Sequence, residues 1–194
     1  MSGMSTDKLL IAAAAALLDS GGESAVTLRA VGAAVGVSHN APYKHFKDRS
    51  ALLAAVANDD FTMLTNAFAK IRQSSSKPLI KLQRALKAFI EYGQKHPARY
   101  RLLYSSPDLA APGGDLEKIA FQSFVEFAGI VQEAQSSKDL PDVPNAALTG
   151  LLFASVHGLI DLEAGGLMRK EKGLSSATGT MALLIDLISR AGTK

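Results

Sequence analysis

The sequence predicts an all-α protein: an N-terminal three-helix helix-turn-helix head followed by a C-terminal helical bundle, about nine helices in all. Three observations lead there. Hydrophobic residues make up 47% of the 194 positions, while aromatics are 6% and Trp is absent. An Ala- and Leu-rich composition of that kind favours helix. Apolar residues recur at helical spacing along most of the chain, and Gly, Pro and Ser clusters cut the runs at helix-length intervals. The length suffices for a substantial core, and we place the domain boundary between residues 1–50 and 51–194.

The first helix is expected from about Thr6 to Ser20, with Leu10, Ala13, Ala14 and Leu17 as its apolar stripe and Gly21-Gly22 as its stop. The stretch Thr27 to Arg49, TLRAVGAAVGVSHNAPYKHFKDR, organises the head. Thr27 is placed to cap a helix carrying Leu28, Val31 and Val35, and Gly36 stands where a helix end wants a left-handed residue. Val37 lies in the turn, and Ser38 is placed to cap a second helix. Gly32 leaves room for the two helices to cross closely. Pro42 removes one backbone donor near the start of the second helix, where a first turn tolerates the loss. This is the pattern of a DNA-binding helix-turn-helix, whose second helix would present Ser38, His39, Asn40, Tyr43, Lys44 and His45.

Asp48 is expected to cap a longer helix through Leu52, Leu53, Val56, Phe61, Leu64 and Phe68 to about Arg72, joining head to bundle. After the linker Gln73–Ser76, Pro78 opens a helix that ends at His96-Pro97. A short helix spans Ala98 to Tyr104 and stops at Ser106-Pro107, and Ala110 to Gly114 is loop. Asp115 caps a helix with Leu116, Ile119, Phe124, Phe127 and Val131, and Ser136 to Pro144 is loop. Ala146 to Glu163 is apolar on more than one face, which calls for burial on several sides. The last helix, about Ser175 to Arg190, is also strongly apolar. Pairing these two with their copies in a second chain gives a four-helix homodimer interface. Its candidate residues are Leu152, Val156, Leu159, Leu184, Leu187 and Ile188.

Thr27, Val31, Gly32, Gly36, Val37, Ser38, Tyr43, His45, Phe46, Arg49, Leu52 and Leu53 together resemble the DNA-binding domain of the tetracycline-repressor (TetR) family of bacterial one-component regulators. Two positions depart from that pattern. Pro42 stands where a branched apolar residue is usual, and Arg49 where Lys is common. Pro97 to Tyr104 (PARYRLLY) and Val156-His157-Gly158-Leu159 resemble the effector domain of a TetR subgroup named for a Trp-His-Gly motif, with Val156 in place of the Trp. The resemblances cover nearly the whole chain. They imply a regulator that binds a double-stranded DNA operator as a homodimer and responds to a small-molecule effector.

His39, Asn40 and Lys44 are the candidates for base edges, because Asn suits adenine and Lys guanine. The resemblance assigns Tyr43 and His45 to phosphates. Thr27 and Ser38 offer helix N-terminal amides and hydroxyls to the backbone, or serve only as caps. Lys47 or Arg49 adds a charge contact, and Phe46 is expected in the core. The resemblance also implies a pocket among Phe61, Phe68, Phe89, Tyr92, Tyr104, Phe124 and Phe127. Asp161 lies one turn beyond His157, close enough to share a hydrogen bond, and the pair is a further effector candidate that could instead be structural or lie at the dimer interface. Such a lining suits a largely apolar effector.

Several classes are set aside. The chain has no Cys, so disulfides and thiolate metal sites are excluded. No Cys or carboxylate completes a ligand set around His39 or His45, and no metal or cofactor is expected. No phosphate loop, dinucleotide fingerprint or nucleophile elbow is present, and Asp59-Asp60 alone makes no acid–base site, so an enzyme is not expected. No run approaches the roughly 20 apolar residues of a membrane span, and no secretory signal is seen, so a cytoplasmic protein is expected. The net charge of +3 says little, but Lys44, Lys47 and Arg49 cluster beside the motif. The expected function is sequence-specific transcriptional regulation, as a repressor released from a palindromic operator by its effector. The alternatives are a ligand-independent regulator or activator, and a helical ligand-binding or interaction module with a degenerate head.

Overall fold

The computed structural model describes residues 4–105 and 114–192. Among them are eight α-helices and no strand: α1 (Thr6–Gly21), α2 (Leu28–Val35), α3 (Arg49–Gln73), α4 (Pro78–Lys95), α5 (Pro97–Ser105), α6 (Asp115–Ser136), α7 (Asn145–Ala164) and α8 (Ala177–Gly192). Single 3-10 turns occupy Glu23–Ala25, Pro42–Lys44 and Lys170–Lys172. Eight of the nine expected helices are thus α-helices. The ninth, the second helix of the motif, is the 3-10 turn at Pro42–Lys44. The expected stop at Ser106-Pro107 and most of the loop Ala110 to Gly114 lie outside the described residues.

Local chemistry sets most helix ends. The Thr27 hydroxyl accepts from the Ala30 amide at 3.0 Å, capping α2. Gly36 ends α2 with φ 76°, a left-handed conformation open to glycine. Asp48 accepts from the Ala51 amide at 2.8 Å and opens α3. Asp115 is not a cap but the first residue of α6, where its carboxylate accepts from Lys118 at 3.0 Å. Glu163, near the end of α7, accepts the Ala177 amide at 3.1 Å and so helps start α8.

The chain divides into two compact units, Met1–Thr62 with His96–Ala120, and Met63–Lys95 with Phe121–Lys194. In the first unit, Leu10, Ile11, Ala14 and Leu18 of α1 meet Val26, Leu28 and Val31, Phe46, Leu52, Leu53, Val56 and Ala57 of α3, and Leu102 of α5. The α1 stripe is turned from the expected one: Leu18 is buried, while Ala13 and Leu17 are only partly buried. A run as apolar as Leu9–Leu18 leaves its inward face to be chosen by tertiary packing.

In the second unit α4 packs on α7 and α8, and those two on each other. Leu82, Leu86, Phe89 and Ile90 of α4 are buried with Leu148, Leu152, Val156 and Ile160 of α7 and Met181 and Ile185 of α8. The end of α3 is fixed to α6 by charge. Arg72 donates to Glu133 at 2.9 Å and lies 3.4 Å from Glu126, while Lys81 of α4 donates to Glu133 at 3.1 Å. Hydrogen bonds from both cations hold the Glu133 carboxyl below its ordinary range against the opposing effect of burial. The Arg72 guanidinium lies over Gly129, where a Cβ would come within 2.7 Å of its carbon. By length and composition α7 is also a helix that could cross a membrane. Leu148, Leu152, Val156 and Ile160 of that helix are buried, while Leu151 and Leu162 are exposed.

Candidate nucleic-acid interface

The segment after α2 is held from inside by two side chains one turn apart. Pro42 and Phe46 are both buried. Pro42 rests on Gly32 of α2, where an added Cβ would stand 3.0 Å from the proline Cγ. Between and around these anchors the chain faces solvent: Ser38, His39, Asn40, Tyr43, Lys44, His45 and Lys47 are exposed, Tyr43 by 57%. An exposed tyrosine beside two histidines, an asparagine and two lysines is a surface of hydrogen-bond donors and positive charge, the chemistry that phosphates and base edges accept.

The backbone here corrects the expectation of an α-helix capped by Ser38. The Ala41 amide donates to the Ser38 carbonyl at 2.9 Å, a three-residue spacing. Residue 42 would make the first four-residue bond to that carbonyl, but proline has no N–H. Lys44 then donates to Ala41 at 3.1 Å and His45 to Pro42 at 3.0 Å, both again at three-residue spacing. Phe46 alone closes a four-residue bond, to Pro42 at 2.9 Å. No side-chain cap is made at the start of the turn. The substitution thus shortens and tightens the recognition element without turning its polar side inward.

Arg49 is held by the fold. Its Nε donates to the Val26 carbonyl at 2.8 Å and its Nη2 to the Glu23 carbonyl at 2.5 Å, with the Glu23 carboxylate at 3.5 Å. The guanidinium therefore ties the start of α3 to the segment before α2, while its side chain stays 40% exposed beside Lys47. Arg29, on the first turn of α2 two residues after Thr27, is also exposed.

The expected effector residues fall into two groups. Phe61 and Tyr104 belong to the first unit and meet edge to face at 5.5 Å. Burial, with smaller contributions from Tyr100 and Asp60, pushes the Tyr104 hydroxyl far above its ordinary value. Phe68, Phe89, Tyr92, Phe124, Phe127, His157 and Asp161 belong to the second unit. There the rings form a continuous path. Phe127 meets Phe68 at 6.0 Å, Phe68 meets Phe89 at 6.4 Å, Phe89 meets His157 at 5.1 Å, His157 meets Phe153 at 4.2 Å, and Phe153 meets Phe124 at 5.5 Å. Burial lowers the His157 pKa to about 4, with the charge of Asp161 opposing. Asp161 itself is exposed and acts on the imidazole through space. Among the described residues no three His, Cys, Asp or Glu side chains gather to hold a metal ion.

The expected dimer residues also separate. Leu152 and Val156 are buried within their own unit and offer nothing to a partner, which corrects their assignment. Leu159, Leu184 and Ile188 are half-buried and Leu187 is 56% exposed. The apolar positions that reach the surface are Leu151 and Leu162 of α7, with Ala154 and Gly158 between them, and Leu183 and Leu187 of α8.

A capped helix followed by an exposed, basic, hydrogen-bonding turn on an all-helical scaffold defines a DNA-binding regulator of the helix-turn-helix class. Comparison with known proteins agrees. The family model described as bacterial regulatory proteins, tetR family, matches residues 10–56, and that described as tetracyclin repressor-like, C-terminal domain, matches residues 82–185. The chain belongs to the TetR family of transcription regulators and is not an enzyme. A protein of unknown function from Rhodococcus sp. RHA1 is 28% identical, with 98% of this chain and 96% of that one covered and a TM-score of 0.82. SmeT, the repressor of the Stenotrophomonas maltophilia multidrug efflux pump SmeDEF, is 20% identical over 97% of this chain and 90% of its own, with a TM-score of 0.70. The TetR family regulator PfmR from Thermus thermophilus is 18% identical over 93% and 97%, with a TM-score of 0.67. No curated protein matches the chain.

Proposed function

We propose that this chain is a homodimeric repressor, acting in the cytoplasm, that leaves a palindromic operator when a small-molecule effector binds its C-terminal part. In this reading residues 1–50 read DNA and residues 51–194 sense and dimerise. The exposed turn from Ser38 to Lys47, braced on Pro42 and Phe46, carries the proposal. His39, Asn40 and Lys44 reach base edges, while Tyr43, His45, Lys47 and the α2 N-terminus with Thr27 and Arg29 take phosphates. One such head neutralises about three or four phosphates, which gives weak and strongly salt-dependent binding. Two heads on a symmetric dimer double the contacts and fix their spacing, hence the palindrome. The exposed apolar faces of α7 and α8 are where a second copy would pair.

The aromatic path around His157 is the proposed effector site. An effector releases the operator only by preferring the conformation that binds DNA poorly. The proposal is tested by selecting bound duplexes from a random pool at near-physiological salt. A two-fold symmetric motif is expected, and Tyr43→Ala/Lys44→Ala should lose it while sedimenting as wild type does. Unchanged affinity in that double variant would count against the turn as the reading surface.

A further inference from the structure

A buried charge cluster lies in the first unit, apart from the exposed turn. Asp60, midway along α3, is 1% exposed. A carboxylate so sealed costs several kcal/mol unless its charge is met. Arg99 of α5 meets it with both arms: Nε donates to one oxygen at 2.9 Å and Nη2 to the other. The same guanidinium reaches Asp19, in the last turns of α1, through Nη1 at 3.4 Å. His96 Nδ1 lies 2.8 Å from that Asp19 oxygen. One cation thus joins α1, α3 and α5.

The two halves of this contact differ in strength. Asp60 is closed to water, so its pair forms as a whole or not at all. Asp19 and Arg99 line an open groove of about 420 Å³ whose walls include Ile11, Ala15 and Val56. An ion pair open to solvent is weak, so the α1 arm yields first. One connection gives the arm a role: α1 packs on α2 and on the 3-10 turn before it.

We propose that Arg99 is a positioning residue for DNA binding: by holding Asp19 to Asp60 it fixes α1 and the elements that α1 supports. The proposal rests on the operator-binding reading. The test uses full-length protein and the duplex it selects, comparing wild type, Asp19→Asn and Asp19→Glu. Asp19→Asn is expected to lower operator affinity about fivefold or more, the scale of an ordinary coupling between sites. Its thermal midpoint should stay close to that of wild type, and the slope of affinity against salt should be unchanged, because no phosphate contact is removed. Amide exchange should quicken between Leu28 and Phe46, and Asp19→Glu should recover most of the affinity. Wild-type affinity in Asp19→Asn, a shallower salt slope, or a loss that merely follows lower thermal stability would each overturn the proposal. Failure of wild type to select any duplex would overturn the operator reading and this proposal together, and is seen before any variant is compared.

Discussion

His157 sits between the rings of Phe89 and Phe153, and that setting makes its protonation a property of the folded chain. Its pKa falls from the ordinary 6.5 to about 4 because burial disfavours the imidazolium. Above 6.5 both folded and unfolded chains carry it neutral, and it adds no pH dependence. Between 6.5 and 4 the unfolded chain takes up a proton that the folded one refuses, so stability falls with pH across that window and levels off below it. Urea midpoints followed from pH 7.5 down to pH 4.5 should show this decline, and His157→Gln should flatten it. Arg49 makes a different point at the same scale. Its residue type and place beside the motif suited a phosphate, but the carbonyls of Glu23 and Val26 hold it against the fold. Residue type shows what a side chain can bond, and only the folded chain shows which partner arrives first.

Among the elements, the turn at Pro42–Lys44 owes its form to one missing donor. Pro42→Ala restores an amide that can reach the Ser38 carbonyl, so the turn should lengthen toward an α-helix. Amide exchange should then show a protected N–H at position 42, with helix-like chemical shifts from Asn40 to His45. An amide at 42 that exchanges as fast as an unstructured one would count against this account of the turn. The other helix boundaries were legible because their signals are local: a threonine before α2, an aspartate before α3, a proline opening α4, a glycine after α2. The fold class followed from the same signals. What the sequence left open was the inward side of helices that are apolar all round. On α7, Leu151 and Leu152 are equally apolar neighbours, yet the first is 51% exposed and the second fully buried. Periodicity cannot separate such neighbours, because the choice is made by what packs against them. The exposed residues of the turn were legible, since a short polar run between two anchors has only one side to turn outward.

At the scale of the whole molecule, the leucines exposed on α7 and α8 are where the proposed homodimer would form. Leu183→Glu/Leu187→Glu puts two charges on a face proposed to be dry in the pair, and a charge buried without a partner is strongly unfavourable. The variant should sediment as a monomer at micromolar concentration and bind the selected duplex at least tenfold more weakly, keeping its helix content. A variant that remains a dimer would place the interface elsewhere. The seat of Arg72 on Gly129 carries a consequence for descent as well as for folding. No side chain fits at 129 while the guanidinium lies there between Glu126 and Glu133. A descendant chain that gains even a methyl group at 129 must shorten or move its cation at 72. Gly129→Ala should therefore push the guanidinium off its seat and loosen its pairing with Glu133, at small cost to stability because the far end of an arginine moves readily.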